Sequence, residues 1–136
     1  MDFKIIERLP TLPEYYQLCK AVGWEEVINF EAAHKAISNS TYAIIAESNG
    51  KTIGMGRIVG DGAIFFYIQD IAVDPEYQGN GVGKAIMNHL ISWTHEHAPP
   101  QAFVALFAAK GTIPFYQQHG FAQHEGLTGI FQVIPK

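Results

Sequence analysis

Residues 63–73, AIFFYIQDIAV, are aliphatic or aromatic almost throughout, and the run passes directly into DPEYQGNGVGK and then a helical pattern. A long apolar run rich in β-branched and aromatic residues predicts a central strand. From Val82 onward, Ile86, Leu90 and Trp93, with Ala85 beside them, recur at three- and four-residue spacing, the stripe of an amphipathic helix. Between strand and helix stand Gly79, Gly81 and Gly83. Glycine is a poor helix former and loses the most backbone entropy on ordering. Three of them at a helix start need a reason beyond turning a corner.

That reason is a ligand. A helix N-terminus exposes backbone N–H groups without internal partners, at the partly positive end of its dipole. Glycines let such a backbone adopt positive φ and come close to a bound group, so a glycine loop between strand and helix is an anion cradle, usually for phosphate. The nucleotide motifs are excluded by spacing. A P-loop counted back from Gly83-Lys84 needs glycine where Gln78 stands and a hydroxyl where Ala85 stands. The dinucleotide fingerprint started at Gly79 meets Lys84 where its third glycine belongs, and started at Gly81 it fails as well. The pattern present is Gln-x-x-Gly-x-Gly, over Gln78, Gly79, Asn80, Gly81, Val82 and Gly83.

The rest of the chain reads as one domain over 1–136 with no repeat or linker. DFKIIERL predicts a first strand, and LPEYYQLCKAVGW a helix with Pro13 near its start and Gly23 at its end. NFEAAHKAISNS predicts a second short helix capped by Asn29. TYAIIAES and KTIGMGRIVG flank Asn49-Gly50, the strongest short hairpin signal. After the long helix, AFVALFAA predicts a buried strand, TIPFYQQHG a short helix with Pro114 in its first turn, and FAQHE and GIFQVI two closing strands. The order is β-α-α-β-β-β-α-β-α-β-β, an α/β mixed sheet with helices on both faces. Gly54, Gly56, Gly60 and Gly62 read as turn or strand-packing glycines.

Nine basic residues against thirteen acidic ones, with no basic run, exclude the electrostatic footprint of a nucleic-acid binder. The lone Cys19 permits no internal disulfide. No charged n-region leads into an apolar stretch at the N-terminus, and no run approaches a membrane span, so a soluble, cytoplasmic chain is expected. His95 and His97 lie two apart on a helix and point to different sides, and the other histidines show no ligand spacing with Cys19, so no metal site is expected.

The segment IQDIAVDPEYQGNGVGK resembles, across its length, the strand-loop-helix of the GCN5-related N-acetyltransferase (GNAT) superfamily, whose acetyl-coenzyme A signature is Gln/Arg-x-x-Gly-x-Gly/Ala. PFYQQHGF, residues 114–121, is similar to the same superfamily's Phe-Tyr-x-x-x-Gly-Phe motif, and the two stand in the family's order. The resemblance implies the GNAT fold, with a central sheet splayed after the fourth strand, and direct acetyl transfer from acetyl-CoA to an amine in a ternary complex. By the same resemblance the backbone of Ile71, Ala72 and Val73 pairs with the pantetheine arm, and the amides from Gln78 to Lys84 hold the pyrophosphate. Tyr116, at the tyrosine of the second motif, is implied as general acid toward the coenzyme A sulfur.

The base is less legible. Family bases often come from the fourth strand, where this chain has Tyr67 and Gln69, neither a good base, and Asp70, the nearest carboxylate; all three are candidates for base or water positioning. Strict alternation sets Tyr67, Gln69 and Ile71 on one face and Phe66, Ile68 and Asp70 on the other, unless a bulge intervenes. Glu25 and Glu26 fall in a segment that commonly lines the acceptor site. Ala109 replaces an asparagine that often contacts the coenzyme in the family. The implied acceptor is a small-molecule or peptidyl amine; a homodimer through the C-terminal strands is compatible with the resemblance. A non-catalytic acyl-CoA-binding module with the same fold is the alternative, supported by the missing base and Ala109.

Overall fold

Hydrophobic patterning of the strands sets the frame. The computed structural model describes residues 1–136 as a five-stranded sheet in the order β1-β2-β3-β4-β5. Strands β1 (Lys4–Ile6), β2 (Tyr42–Ser48), β3 (Lys51–Gly60) and β4 (Phe65–Val73) are antiparallel neighbours, and β5 (Phe103–Ala105) joins β4 in parallel. Asn49 and Gly50 connect β2 to β3 with φ of 50° and 76°, the double positive φ of a type I′ hairpin turn.

Four helices complete the fold: α1 (Leu12–Ala21), α2 (Ala33–Ser38), α3 (Val82–His97) and α4 (Ile113–Gln117). Thr11 and Glu14 close α1 with a reciprocal capping box, and Asn29 caps a 3₁₀ turn at Phe30–Ala32 that leads into α2. Alternation divides the core between the two sheet faces. Ile44, Ala46, Ile53, Ile58, Phe66 and Ile68 pack against Val82, Ile86, Met87 and Leu90 of α3. Met55 and Ala72 meet Tyr15, Leu18 and Cys19 of α1 and Ala33 and Ile37 of α2 on the other face. Each of the larger aliphatic and aromatic side chains among these contributes about 1.5–3 kcal/mol on burial.

Helix α3 sits close to the sheet because β3 carries glycine at the contact. A Cβ on Gly56 would lie 2.7 Å from Ile86 Cγ2 and 2.8 Å from Ile71 Cδ1, so Gly56 is a strand-packing glycine.

Two expectations are corrected at the C-terminal end. AFVALFAA forms only the three-residue β5, with Phe103 and Phe107 exposed. It lies at the sheet edge, and β4 diverges from it after Tyr67↔Ala105, so the run has one neighbour and one open side. FAQHE and GIFQVI form no strands: beyond α4 the only pairing is an isolated bridge between His124 and Leu127. Strand formation needs a partner edge, and within this chain the segment has none.

Candidate active site

The glycine loop starts where β4 ends. Asp74 caps a 3₁₀ turn at Pro75–Tyr77, its side chain accepting from Glu76 N–H at 3.0 Å. The Gln78 amide donates to the Val73 carbonyl at 3.0 Å, and the Asn80 amide to the Tyr77 carbonyl at 3.1 Å, so both polar side chains brace the loop from behind. The Val73 carbonyl is thus already engaged by Gln78. Gly79 and Gly81 take φ of 82° and 83°, where any other L-residue is strained, and Gly81 is the N-cap of α3.

Backbone accounting then points outward. The first helical bond of α3 runs from Ala85 N–H to the Gly81 carbonyl, and no side chain caps the helix. The N–H groups of Gly79, Asn80, Gly81, Val82, Gly83 and Lys84 donate to no acceptor in the chain. A Cβ on Gly79 or Gly81 would meet nothing within 4 Å, and one on Gly83 only Val73 Cγ2 at 3.8 Å and Phe115 Cζ at 3.9 Å. Packing does not require glycine at 83, which leaves that point of the loop open to the close approach of a ligand. Consecutive free amides at the positive end of a helix fit a diphosphate.

Strand β4 supplies the second element. Its pairing with β5 covers only Phe65–Tyr67, so the edge from Ile68 to Val73 on that side carries no strand. Against β3 the register shifts between Met55↔Ala72 and Arg57↔Gln69: Asp70 and Ile71 oppose the single residue Gly56, and Asp70 takes φ of 56°. This bulge reverses the faces beyond it. Phe66 and Ile68 face α3, as do Ile71 and Val73 after the bulge, whereas Asp70 turns to α1. Strict alternation would have kept Asp70 with Ile68.

On that face one oxygen of Asp70 is held by two donors. Its Oδ2 accepts from Arg57 Nε at 2.6 Å and from the Tyr15 hydroxyl at 2.9 Å. Arg57 Nη1 also donates to the Ala36 carbonyl and to Ser40 Oγ, tying α2 to the same point. Burial, with the Asp70 charge, pushes the Tyr15 hydroxyl far above its ordinary value, so it remains a donor. Burial likewise lifts Cys19 to about 11, leaving it an inert thiol.

A cavity of about 330 Å³ opens beside the bulge. Gln69, Asp70 and Ile71 form its floor, Trp24, Val27 and Ile28 one wall, and Leu106, Phe107, Ala109, Thr112 and Tyr116 the other. The structure therefore brings Gln69, Asp70, Ile71 and Tyr116 together. Tyr67 lies outside this lining, edge-on to Phe103 at 6.4 Å. The Tyr116 hydroxyl makes no hydrogen bond within the chain, and burial raises its pKa, which keeps the proton on it. Glu25 and Glu26 are exposed and do not line the cavity; Glu25 accepts from the Tyr16 hydroxyl at 2.8 Å.

Arg57 and Tyr15 are the site residues that sequence reasoning missed. A single arginine inside the otherwise uncharged TIGMGRIVG was the available signal for the first; nothing local marked the second. His119 also went unassigned: its Nε2 is buried without a partner, and burial, with the Lys84 charge, lowers its pKa.

Comparison with known proteins agrees with this geometry. The family model for the acetyltransferase (GNAT) domain matches residues 13–135. The chain is 33% identical over 134 residues to GCN5-related N-acetyltransferase 2, chloroplastic, of Arabidopsis thaliana, covering 84% of this chain and 51% of that protein. It thus spans about half the length of that relative. It is 30% identical over 125 residues to the uncharacterized N-acetyltransferase ycf52 of Pyropia yezoensis, covering 88% of this chain and 70% of that one. Among solved structures, SA2161 of meticillin-resistant Staphylococcus aureus, described as a probable acetyltransferase, superposes with a TM-score of 0.89 at 30% identity. That match covers 98% of this chain and 100% of the other, so it takes in most of the segment after α4. With its motifs, its splayed sheet and these likenesses in agreement, the chain belongs to the GNAT family of acetyltransferases.

Proposed function

We propose that this protein transfers an acetyl group from acetyl-CoA directly to a primary amine, with both substrates bound at once. The observation that carries the reading is the union, around one splayed sheet, of the free amides from Gly79 to Lys84, the unpaired edge of β4 and the free hydroxyl of Tyr116. The amides suit the diphosphate, and the open edge from Ile68 to Val73 suits the amide groups of the pantetheine arm, which add to it as a strand would. Lys84, exposed in the first turn of α3, adds positive charge beside the phosphates.

Transfer forms an N–C bond and breaks a C–S bond. Tyr116, held protonated by burial, donates its proton to the leaving sulfur. Backbone N–H groups at the bulge, at Ile71 or its neighbour, polarise the thioester carbonyl. Asp70, its Oδ2 held by Arg57 and Tyr15, serves chiefly as a strut and positions a water in the cavity, and the amine loses its proton to that water. The acceptor enters between Trp24, Val27, Ile28 and Phe107; this largely apolar lining favours an amine carried on an apolar body, whether a small molecule or a peptide side chain.

The test is thiol release from acetyl-CoA over a panel of primary amines with matched apolar and polar bodies, alongside calorimetric titration with coenzyme A. Turnover that favours apolar amines is the expected result. Tight coenzyme binding without turnover on any amine would instead make the chain an acyl-CoA-binding module.

A further inference from the structure

His119 stands in the turn after α4, and its Nε2 is buried with no partner in the chain. A buried polar atom left unpaired is rare in a folded protein and calls for a reason. The ring packs against Phe115, centroids 5.0 Å apart and planes at 60°. Phe115 in turn reaches the glycine loop, since a Cβ on Gly83 would lie 3.9 Å from its Cζ. It also meets Tyr116 edge-on at 5.1 Å. The Tyr116 carbonyl accepts from His119 N–H at 2.9 Å and from Phe121 N–H at 3.2 Å, so His119 and Tyr116 belong to one tied turn. Phe115, Tyr116 and Phe121 all pack against the core beneath α3. One cluster therefore runs from the first turn of α3 to the hydroxyl at the cavity.

The chemistry of the ring follows from its surroundings. A neutral imidazole can leave only a lone pair at Nε2 and carry its hydrogen on the less enclosed Nδ1. Imidazolium carries an N–H at both nitrogens, and the one at Nε2 then lies buried without an acceptor. Charge opposes protonation as well. From α3 the group acting on the ring is the Lys84 ammonium; from α4, Phe115 and Tyr116 bring no charge, and no carboxylate compensates. Both causes hold His119 below the ordinary histidine value. A diphosphate on the free amides from Gly79 to Lys84 would reverse the second cause, because its negative charge offsets Lys84 and favours imidazolium.

We propose that His119 is a positioning residue that couples occupancy of the glycine loop to the seat of Tyr116. As an anion fills the loop, the imidazole takes up one proton from solvent, and the charged ring holds α4 against the first turn of α3. With the loop empty the ring is neutral and α4 is held by apolar packing alone. The hydroxyl of Tyr116 is thus fixed most firmly when the coenzyme is present. This inference rests on the loop being the coenzyme's diphosphate site.

Nuclear magnetic resonance titration of the histidine rings in the full chain, free and saturated with coenzyme A, tests the proposal. The signal of His119 is the one missing from His119→Gln. Its free midpoint should lie below about 6.5 and rise by at least about half a pH unit with coenzyme A bound. Lys84→Gln should raise the free midpoint by itself. The Tyr116 ring signals of the coenzyme complex should follow the His119 midpoint as pH changes, and in His119→Gln that dependence should vanish. By linkage, the ratio of wild-type to His119→Gln affinity for coenzyme A should grow about threefold from pH 8 to below the free midpoint. Titration of the ligand's own phosphates is common to both proteins and cancels in that ratio.

A midpoint that stays in place while coenzyme A binds overturns the proposal and leaves the transferase reading standing. So does a Tyr116 response that is the same in His119→Gln. A midpoint that rises in a protein that acetylates no amine supports the coupling and sinks the transferase alone. No binding of coenzyme A sinks both.

Discussion

The Nε of Arg57 lies 2.6 Å from Oδ2 of Asp70, with the two side chains only 13% and 12% exposed. Asp70 occupies the bulge of β4 with positive φ, so this ion pair holds a strained backbone in place at the floor of the cavity. Removing one partner of a buried pair leaves an uncompensated charge and costs about 3–5 kcal/mol. Arg57→Gln should lose that much stability in urea denaturation, whereas Tyr15→Phe, which deletes one donor to a charged acceptor, should lose about 1.5–3 kcal/mol. Equal stability of Arg57→Gln and wild type would show that the pair does not hold the bulge.

Tyr116→Phe keeps the ring and removes the proton. Its kcat should fall about 10²-fold or more, the usual contribution of a positioned acid, while the KM for acetyl-CoA changes little. Because burial raises the pKa of Tyr116, the proton-donating form persists through neutral and mildly alkaline pH. The alkaline limb of the wild-type rate profile should therefore break only above the ordinary range of a tyrosine hydroxyl. An unchanged kcat in Tyr116→Phe would remove the acid role.

Gly83→Glu separates folding from binding. A Cβ at this position makes only ordinary contacts, and an acidic side chain in the first turn of a helix stabilises it by about 0.3–1 kcal/mol. The variant should melt at or slightly above the wild-type temperature yet give no heat on titration with coenzyme A, because on the proposed reading its carboxylate stands where the diphosphate would lie. Normal coenzyme affinity in this variant would place the phosphates elsewhere.

Glu14 makes stability depend on acid. Hydrogen bonds from Arg8, then from Thr11 N–H and the Thr52 hydroxyl, hold its carboxyl down at about 2. A depressed folded pKa means the stabilisation is fully present above the unfolded value of about 4.3 and is lost as pH falls through the folded one. Glu14→Gln should cost about 1–2 kcal/mol at neutral pH, after allowance for solvent screening of a partly exposed pair, and almost nothing near pH 2. A difference that is constant across this window would mean that the charge of Glu14 contributes nothing.

Much of the fold was legible because its signals are local. The Asn49-Gly50 turn and the stripe of Val82, Ile86 and Leu90 each depend on residues within a few positions of one another, and each stands as read. Strand formation at the C-terminus was misread because alternation in GIFQVI reports which side chains share a face, not whether an edge is available to pair with. The face of Asp70 stayed open for a related reason: one extra residue in β4 inverts every position beyond it, and only pairing with β3 shows where that residue sits.

The sequence by itself determined the glycine loop, the helix that follows it and the aromatic pair before Gly120, because backbone freedom at Gly79 and Gly81 and the phenol at Tyr116 belong to single residues. Tertiary structure decided the rest. It tied Oδ2 of Asp70 to Arg57 of β3 and Tyr15 of α1. It left the edge of β4 open and the segment after α4 uncovered. An ion pair between elements, a free edge and an exposed face are relations between distant parts of the chain, and they exist only once the strands and helices have taken their places.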